Sequence, residues 1–356
     1  MATATSHDGD QQPQRIAVFR ALQIGDLLVT VPALRALRHA YPHAHITLIG
    51  LPWARDFIAR FDCCDELFEF PGLPGMPERE PDTDTLPAFY AAARERRFDL
   101  ALQMHGSGEL SNAVVEQLGA ARTAGFHPQD ADAPSHFLPW EPHESELGRY
   151  LRLMESIDVP LCGTELEFPI TPAEHEAAID LLHRHLPLAP APYVCVHPGS
   201  RLPSRRWPPD RFAAAADAIA SWGYIVVLTG TQDEASITRQ VEATMRRTAV
   251  DLAGKTSLGS FAALLRDASL VLCNDTSTSH LACATQTPSV VISSGADVQR
   301  WRPLDESRHP VLWYDTPCRP CGHAVCPTEH ECAQGVSVGA VLDTARSLLS
   351  VEERPV

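Results

Sequence analysis

The sequence predicts an α/β fold built from two domains, each with a parallel sheet. Short apolar runs rich in β-branched residues alternate with Ala/Leu/Arg-rich helical stretches, which is how strands covered on both faces by helices read. This alternation starts twice, at Arg15 and again at Tyr193, and a proline-punctuated stretch from Pro160 to Pro192 lies between the two starts. In the first half, Arg15–Arg20, Ile46–Ile49 and Phe98–Gln103 are the expected strands, with one helical run from Asp26 through Arg38. In the second half they are Tyr193–Val196, Ile225–Thr229, Leu270–Cys273 and Ser289–Ile292. Residues 15–170 therefore form the expected first domain, 171–192 a linker with a short helix near Ala173 to His185, and 193–335 the second domain. Residues 336–356 are a helix and tail that could belong to either. Pro71 to Pro87 reads as a surface loop, and residues 1–14, polar and without an apolar export core, read as a disordered tail rather than a signal peptide.

Composition narrows the function classes. The 356 residues are 44% hydrophobic and 21% charged, within the range of soluble globular chains. No apolar run approaches the roughly 18 residues of a membrane span, so the expected location is the cytoplasm, with membrane contact only peripheral. The formal net charge of -16 repels nucleic acid. Ten cysteines without an export signal are expected to be reduced thiols.

Four segments could carry chemistry. Ile24-Gly25-Asp26 follows the first strand, where open α/β sheets bind ligands. Asp26 on its own also fits a helix cap. His197-Pro-Gly-Ser200 follows the first strand of the second half. Arg201, Arg205 and Arg206 come next, so Gly199 and Ser200 can offer donors to an anion and the arginines can add charge. Asn274-Asp275-Thr276-Ser277-Thr278-Ser279-His280 runs from a strand into a helix. It has more hydroxyls than one cap needs, which suits a phosphate cradle. Ala253-Gly-Lys-Thr256 is not a nucleotide P-loop, because Ala249 stands where that motif requires glycine. Cys318, Cys321, Cys326 and Cys332 fall within 15 residues. They read as a structural zinc site, with an Fe–S centre as a lesser option or a loop of plain thiols as the alternative.

Taken together, these segments resemble the ADP-heptose:lipopolysaccharide heptosyltransferases, glycosyltransferase family 9. The resemblance rests on Arg15-Ile-Ala-Val-Phe-Arg-Ala-Leu-Gln-Ile-Gly-Asp26 and its continuation to Arg38, and on His197-Pro-Gly-Ser-Arg201 leading into Arg206-Trp-Pro. It also rests on Leu252-Ala-Gly-Lys-Thr-Ser-Leu258, Asn274-Asp-Thr with Ser279-His-Leu-Ala282, and Pro317-Cys-Arg-Pro-Cys321. It implies a GT-B fold of two facing Rossmann-like domains, the acceptor on the first and the nucleotide-sugar donor on the second. It further implies an inverting, metal-independent transfer from an ADP-sugar to a glycan, glycolipid or protein. Asp26 matches the family's catalytic base, and Arg205 stands where a phosphate-binding lysine is usual. Gly199, Ser200, Asp275, Thr276, Ser277 and His280 match donor contacts, and Asp233 or Glu234 could hold the ribose. Ser277 departs from the usual glycine. Glu109 replaces a common Arg or Lys, which suits a phosphorylated or Kdo-bearing acceptor poorly. A nucleotide-sugar-binding protein without transfer activity is the alternative. A weaker third reading makes the cysteine segment a metal-binding interaction module.

Overall fold

The computed structural model describes residues 12–129, 137–186 and 192–349. The expected tail lies outside the described residues up to residue 11, as do the last seven residues of the C-terminal tail and residues 187–191 of the expected linker. Two compact units emerge. One runs up to Pro142 and resumes over Leu147–Thr164; the other comprises His143–Glu146 and everything from Glu165 onward.

The first unit contains β1 (Arg15–Phe19), β2 (His45–Gly50), β3 (Glu66–Glu69), β4 (Leu100–Gln103), β5 (Arg122–His127) and β6 (Phe137–Pro139) in the order β3-β2-β1-β4-β5-β6. The second contains β7 (Tyr193–His197), β8 (Ile225–Leu228), β9 (Val250–Asp251), β10 (Leu270–Asn274), β11 (Ser289–Ser293) and β12 (Val311–Trp313) in the order β12-β11-β10-β7-β8-β9. All pairings are parallel. Each unit thus repeats the doubly wound Rossmann order. Its strand order reverses between β1 and β4 in one unit and between β7 and β10 in the other, and ligands of such sheets bind beyond the carboxyl ends at that reversal.

The expected helix from Asp26 to Arg38 is two helices, Ile24–Leu28 and Val31–Ala40. Pro32 has no N–H and its ring crowds the carbonyl four residues back. The chain therefore restarts at Thr30, whose carbonyl accepts from Leu34 N at 3.0 Å. The helix Pro172–His185 begins with a capping box in which the Thr171 and Glu174 side chains each accept from the other residue's backbone N–H. It packs on Leu258–Asp267 within the second unit, where His175 Nε2 and Asp267 Oδ2 are 2.7 Å apart.

In the second unit Trp207 is fully buried among Val194, Phe212, Leu272 and Val341, and its Nε1 donates to Val336 O at 3.0 Å. Val341 and Ala345 of the helix Val338–Leu349 enter the same core, which assigns that helix to the second unit.

His309 is buried beside Ser289 Oγ at 2.9 Å, and burial lowers its pKa to about 4. An unfolded histidine titrates near 6.5, so the unfolded chain binds the extra proton first. The stability this neutral imidazole contributes is complete above about pH 6.5 and is lost as pH falls towards 4, at roughly 1.4 kcal/mol per pH unit. Chemical unfolding at pH 6.5 and pH 5 is expected to show His309→Asn losing about 2 kcal/mol less than the parent protein over that interval.

Candidate functional site

In the first unit, the chain leaving β1 turns over the reversal point. Asp26 is the third residue of the helix Ile24–Leu28. Its Oδ2 accepts from Gln23 N at 3.2 Å, so the carboxylate closes a capping box without being the N-cap itself. Its Oδ1 lies 3.8 Å from Nη2 of Arg20, whose side chain is fully buried, while Asp26 keeps 24% of its side-chain surface exposed. The residues that end β4 face the same turn. His105 Nδ1 accepts from Ala21 N at 3.2 Å, and its ring stacks on Phe19 with centroids 5.0 Å apart. Burial, and then the charge of Arg20, lower the His105 pKa to about 3. The imidazole is therefore neutral, and the accepting Nδ1 assigns its proton to Nε2, 4.0 Å from Glu78 Oε2. A narrow cleft beside it is lined by Ala21, Leu51, Phe70, Met76, Glu78 and Arg79, including the residues that follow β1, β2 and β3. Glu109, on the loop after β4, is exposed.

In the second unit, Asn274 spans the reversal point. Its Nδ2 donates to Pro198 O at 2.9 Å and Gly199 O at 3.2 Å, and its Oδ1 accepts from Trp207 N at 2.9 Å. The turn after β7 is thereby tied to the end of β10. The Glu234 carboxylate packs against Gly199, and a Cβ there would come within 2.3 Å of its carboxyl carbon, so a larger residue would displace the Glu234 side chain. Ser200 is buried and its carbonyl accepts from Arg206 Nε at 2.8 Å, whereas Arg201 is exposed. Glu234 Oε2 accepts from Thr231 N at 2.9 Å and lies 3.6 Å from Nε2 of buried His197. Burial lowers the His197 pKa against the opposing pull of Glu234. Asp233, the other candidate ribose ligand, is exposed on the same short 3-10 turn.

Asp275 accepts from Ser293 Oγ at 2.9 Å. Burial raises its pKa, while His280, the Ser293 hydrogen bond, Arg205 and Arg319 act in the opposite direction. Thr276 is the N-cap of the helix Ser277–Ala284, its hydroxyl accepting from Thr278 N at 3.3 Å, and Ser277 is the first helical residue. The capping role set against a ligand role in the sequence is thus filled by Thr276 and not by Asp275. His280 is buried near Trp301. Arg205, Asp275, Ser277 and His280 therefore share the carboxyl edge of this sheet with Gly199 and Ser200. Lys255 Nζ donates at 2.6 Å to the carbonyl of Asp251, the last residue of β9.

The zinc tetrad expected of Cys318, Cys321, Cys326 and Cys332 is not formed. Among the described residues, no group of three or more His, Cys, Asp or Glu side chains is arranged to hold a metal ion. The reason is how the segment is pinned. Cys321 N donates to Gly295 O at 2.7 Å, Ser204 N to Ala324 O at 3.1 Å, and Arg205 Nη2 to Cys321 O at 2.6 Å. Cys318 stays exposed beside Thr316 and Cys332 is buried. Burial raises the Cys332 pKa, whereas hydrogen bonds from Thr328 lower that of Cys326.

Three residues of these edges were not singled out from sequence. Arg20 and Asn274 stand inside quoted motifs as unremarkable positions. Arg319 sits between the first two cysteines of the cluster, and its guanidinium donates to Ser293 O at 2.9 Å and Ala296 O at 2.8 Å. A buried charge at a strand end was the available signal for Arg20 alone.

Two Rossmann-ordered sheets, each with a polar cluster at its reversal point, are the architecture of the GT-B fold. The sequence profile of glycosyltransferase family 9 (heptosyltransferase) matches residues 88–331, and the chain belongs to that family. Among relatives, lipopolysaccharide heptosyltransferase 3 of Escherichia coli is 25% identical over 291 residues, covering 78% of this chain and 83% of its own. A family 9 glycosyltransferase structure from Veillonella parvula superposes with a TM-score of 0.80 at 22% identity, covering 95% of this chain and 98% of its own. The E. coli ADP-heptose lipopolysaccharide heptosyltransferase II does so at 0.72 and 19%, with coverage of 94% and 98%. These structural likenesses concern the fold. No described helix is long and apolar enough to cross a membrane.

Proposed function

We propose that the chain is an inverting transferase that moves heptose, or a related sugar, from an ADP-sugar to a hydroxyl of a glycan, glycolipid or protein. The Asp26 carboxylate takes the proton as the acceptor oxygen attacks the anomeric carbon. The bond from that carbon to the phosphate oxygen breaks, and ADP leaves. In the second unit, Gly199 and Ser200, Arg205, and the turn Asp275–Ser277 with His280 bind the diphosphate and sugar, while Asp233 and Glu234 bind the ribose. Arg205 supplies the positive charge the leaving phosphates require, which assigns the catalytic step no metal.

The observation that carries this reading is Asp26. It is a partly exposed carboxylate, hydrogen-bonded by Gln23 N and faced by the Arg20 guanidinium, at the strand-order reversal of the first sheet in a family 9 chain. The donor assignment draws on the E. coli relative described as an ADP-heptose heptosyltransferase. The lipopolysaccharide named for the relatives supports a saccharide acceptor. Exposed Glu109 favours a region of it without phosphate or Kdo, since like charges repel. We assign the protein to the reducing cytoplasm, where its ten cysteines stay thiols.

A thermal-shift panel of ADP-, UDP-, GDP- and CDP-sugars tests the donor. A ligand at 100 times its Kd adds about 2.7 kcal/mol to native stability, so the ADP-sugar is expected to raise Tm most. An equal response to another nucleotide overturns the ADP assignment. Binding of the ADP-sugar without acceptor-dependent ADP release would instead favour a nucleotide-sugar-binding protein that does not transfer.

A further inference from the structure

We propose that Arg20 is a positioning residue for transfer: its buried guanidinium orients the Asp26 carboxylate and balances its charge. This rests on the reading of Asp26 as the proton acceptor.

Arg20 is the residue directly after β1 and is 1% exposed. Its Nε donates to the Asp26 carbonyl at 2.8 Å, and its Nη1 to Met104 O and to the Tyr150 hydroxyl. Its Nη2 faces Asp26 Oδ1 at 3.8 Å. The guanidinium also lies 4.5 Å from the centre of the Tyr150 ring. One side chain thus grips the backbone of the residue whose carboxylate it faces, and it fixes that residue relative to the end of β4 and to the helix Glu146–Ser156. A planar guanidinium can hold several such directions at once, whereas an ammonium cannot. Gln23 N hydrogen-bonds Oδ2 and the Arg20 guanidinium faces Oδ1 at ion-pair distance, while part of the carboxylate surface stays open.

Two of the side chains beside this pair carry no charge. His105 is neutral, and Tyr150 contributes a hydroxyl and a ring. A buried cation needs a compensating anion, and a carboxylate that accepts a proton during turnover needs a fixed orientation while it does so. The Arg20–Asp26 pair meets both needs.

A double-mutant cycle on the full chain tests the proposal, using Arg20→Met and Arg20→Lys, each with and without Asp26→Asn. Readouts are single-turnover rate, kcat and donor KM. Arg20→Met is expected to lower kcat by roughly tenfold or more while donor KM changes by less than about threefold, and Arg20→Lys is expected to recover part of the loss. In the Asp26→Asn background, the same Arg20 substitutions are expected to cost less than about twofold, because the group they act through is already disabled. Equal cost in both backgrounds, or an unchanged kcat in Arg20→Met, overturns the proposal. If Arg20→Met does not fold, the cycle with Arg20→Lys decides by the same comparison. Full turnover in Asp26→Asn overturns the base reading and this inference together. Lost turnover there with additive Arg20 effects overturns this inference alone.

Discussion

Asp26→Asn is expected to lower kcat by about 10²–10⁴-fold while leaving ADP affinity within about twofold of the parent protein. The range is what a positioned general base contributes, and the split follows because Asp26 belongs to the first unit while the proposed ADP contacts belong to the second. Asparagine is the informative replacement. It keeps an oxygen for Gln23 N and adds no cavity. Both variants remove the charge that faces buried Arg20, but Asp26→Ala also leaves Gln23 N without its acceptor and opens a space beside the guanidinium, which weakens the fold further. Loss of transfer in the alanine variant alone would therefore mix chemistry with stability. Rapid-quench turnover beside calorimetric ADP titration separates them.

The second large effect is expected at Arg205. Arg205→Met should reduce kcat/KM for the ADP-sugar by about a hundredfold and weaken ADP binding by roughly ten- to a hundredfold, the span of a lost charged hydrogen bond or two. Arg205→Lys should recover only part of this, since an ammonium on a flexible stem cannot reproduce a guanidinium that also bonds Cys321 O at 2.6 Å. Part of the methionine effect is indirect, because Arg205 also draws on buried Asp275 from the same edge of the sheet. Titrating ADP into each variant measures the binding component, and steady-state kinetics the remainder. An Arg205→Met protein with unaltered ADP affinity would remove this residue from the donor site.

How much of this could be read beforehand follows from where each strand lies. Seven of the eight inner strands, β1, β2, β4, β7, β8, β10 and β11, were legible, because neighbours on both sides and helices on both faces favour continuous apolar runs. The edge strands β3, β6, β9 and β12, and the inner strand β5, whose Arg122-Thr-Ala-Gly-Phe-His127 is not a continuous apolar run, were not singled out. Glu66-Leu-Phe-Glu69 and Val250-Asp251 are short and half covered, so their composition carries no such run. At the site, the residue clusters after β1, β7 and β10 were legible as glycine, acid and hydroxyl patterns at strand ends. The partnerships among them were not. Asn274 joining Pro198 and Gly199, and Arg319 reaching Ser293, link residues 75 and 76 or 26 positions apart, which no local spacing encodes. The cysteine segment misled for the related reason that sulfur spacing fixes reach but not direction. Backbone bonds to Gly295 and Ser204 decide where each thiol points.

The most direct test is acceptor-dependent release of ADP from ADP-heptose, followed with the anomeric configuration of the glycosylated product by NMR. The account predicts release only when a saccharide acceptor is present, a product inverted at the anomeric carbon, and neither in Asp26→Asn. Release by that variant at the parent rate, or a product of retained configuration, would contradict it.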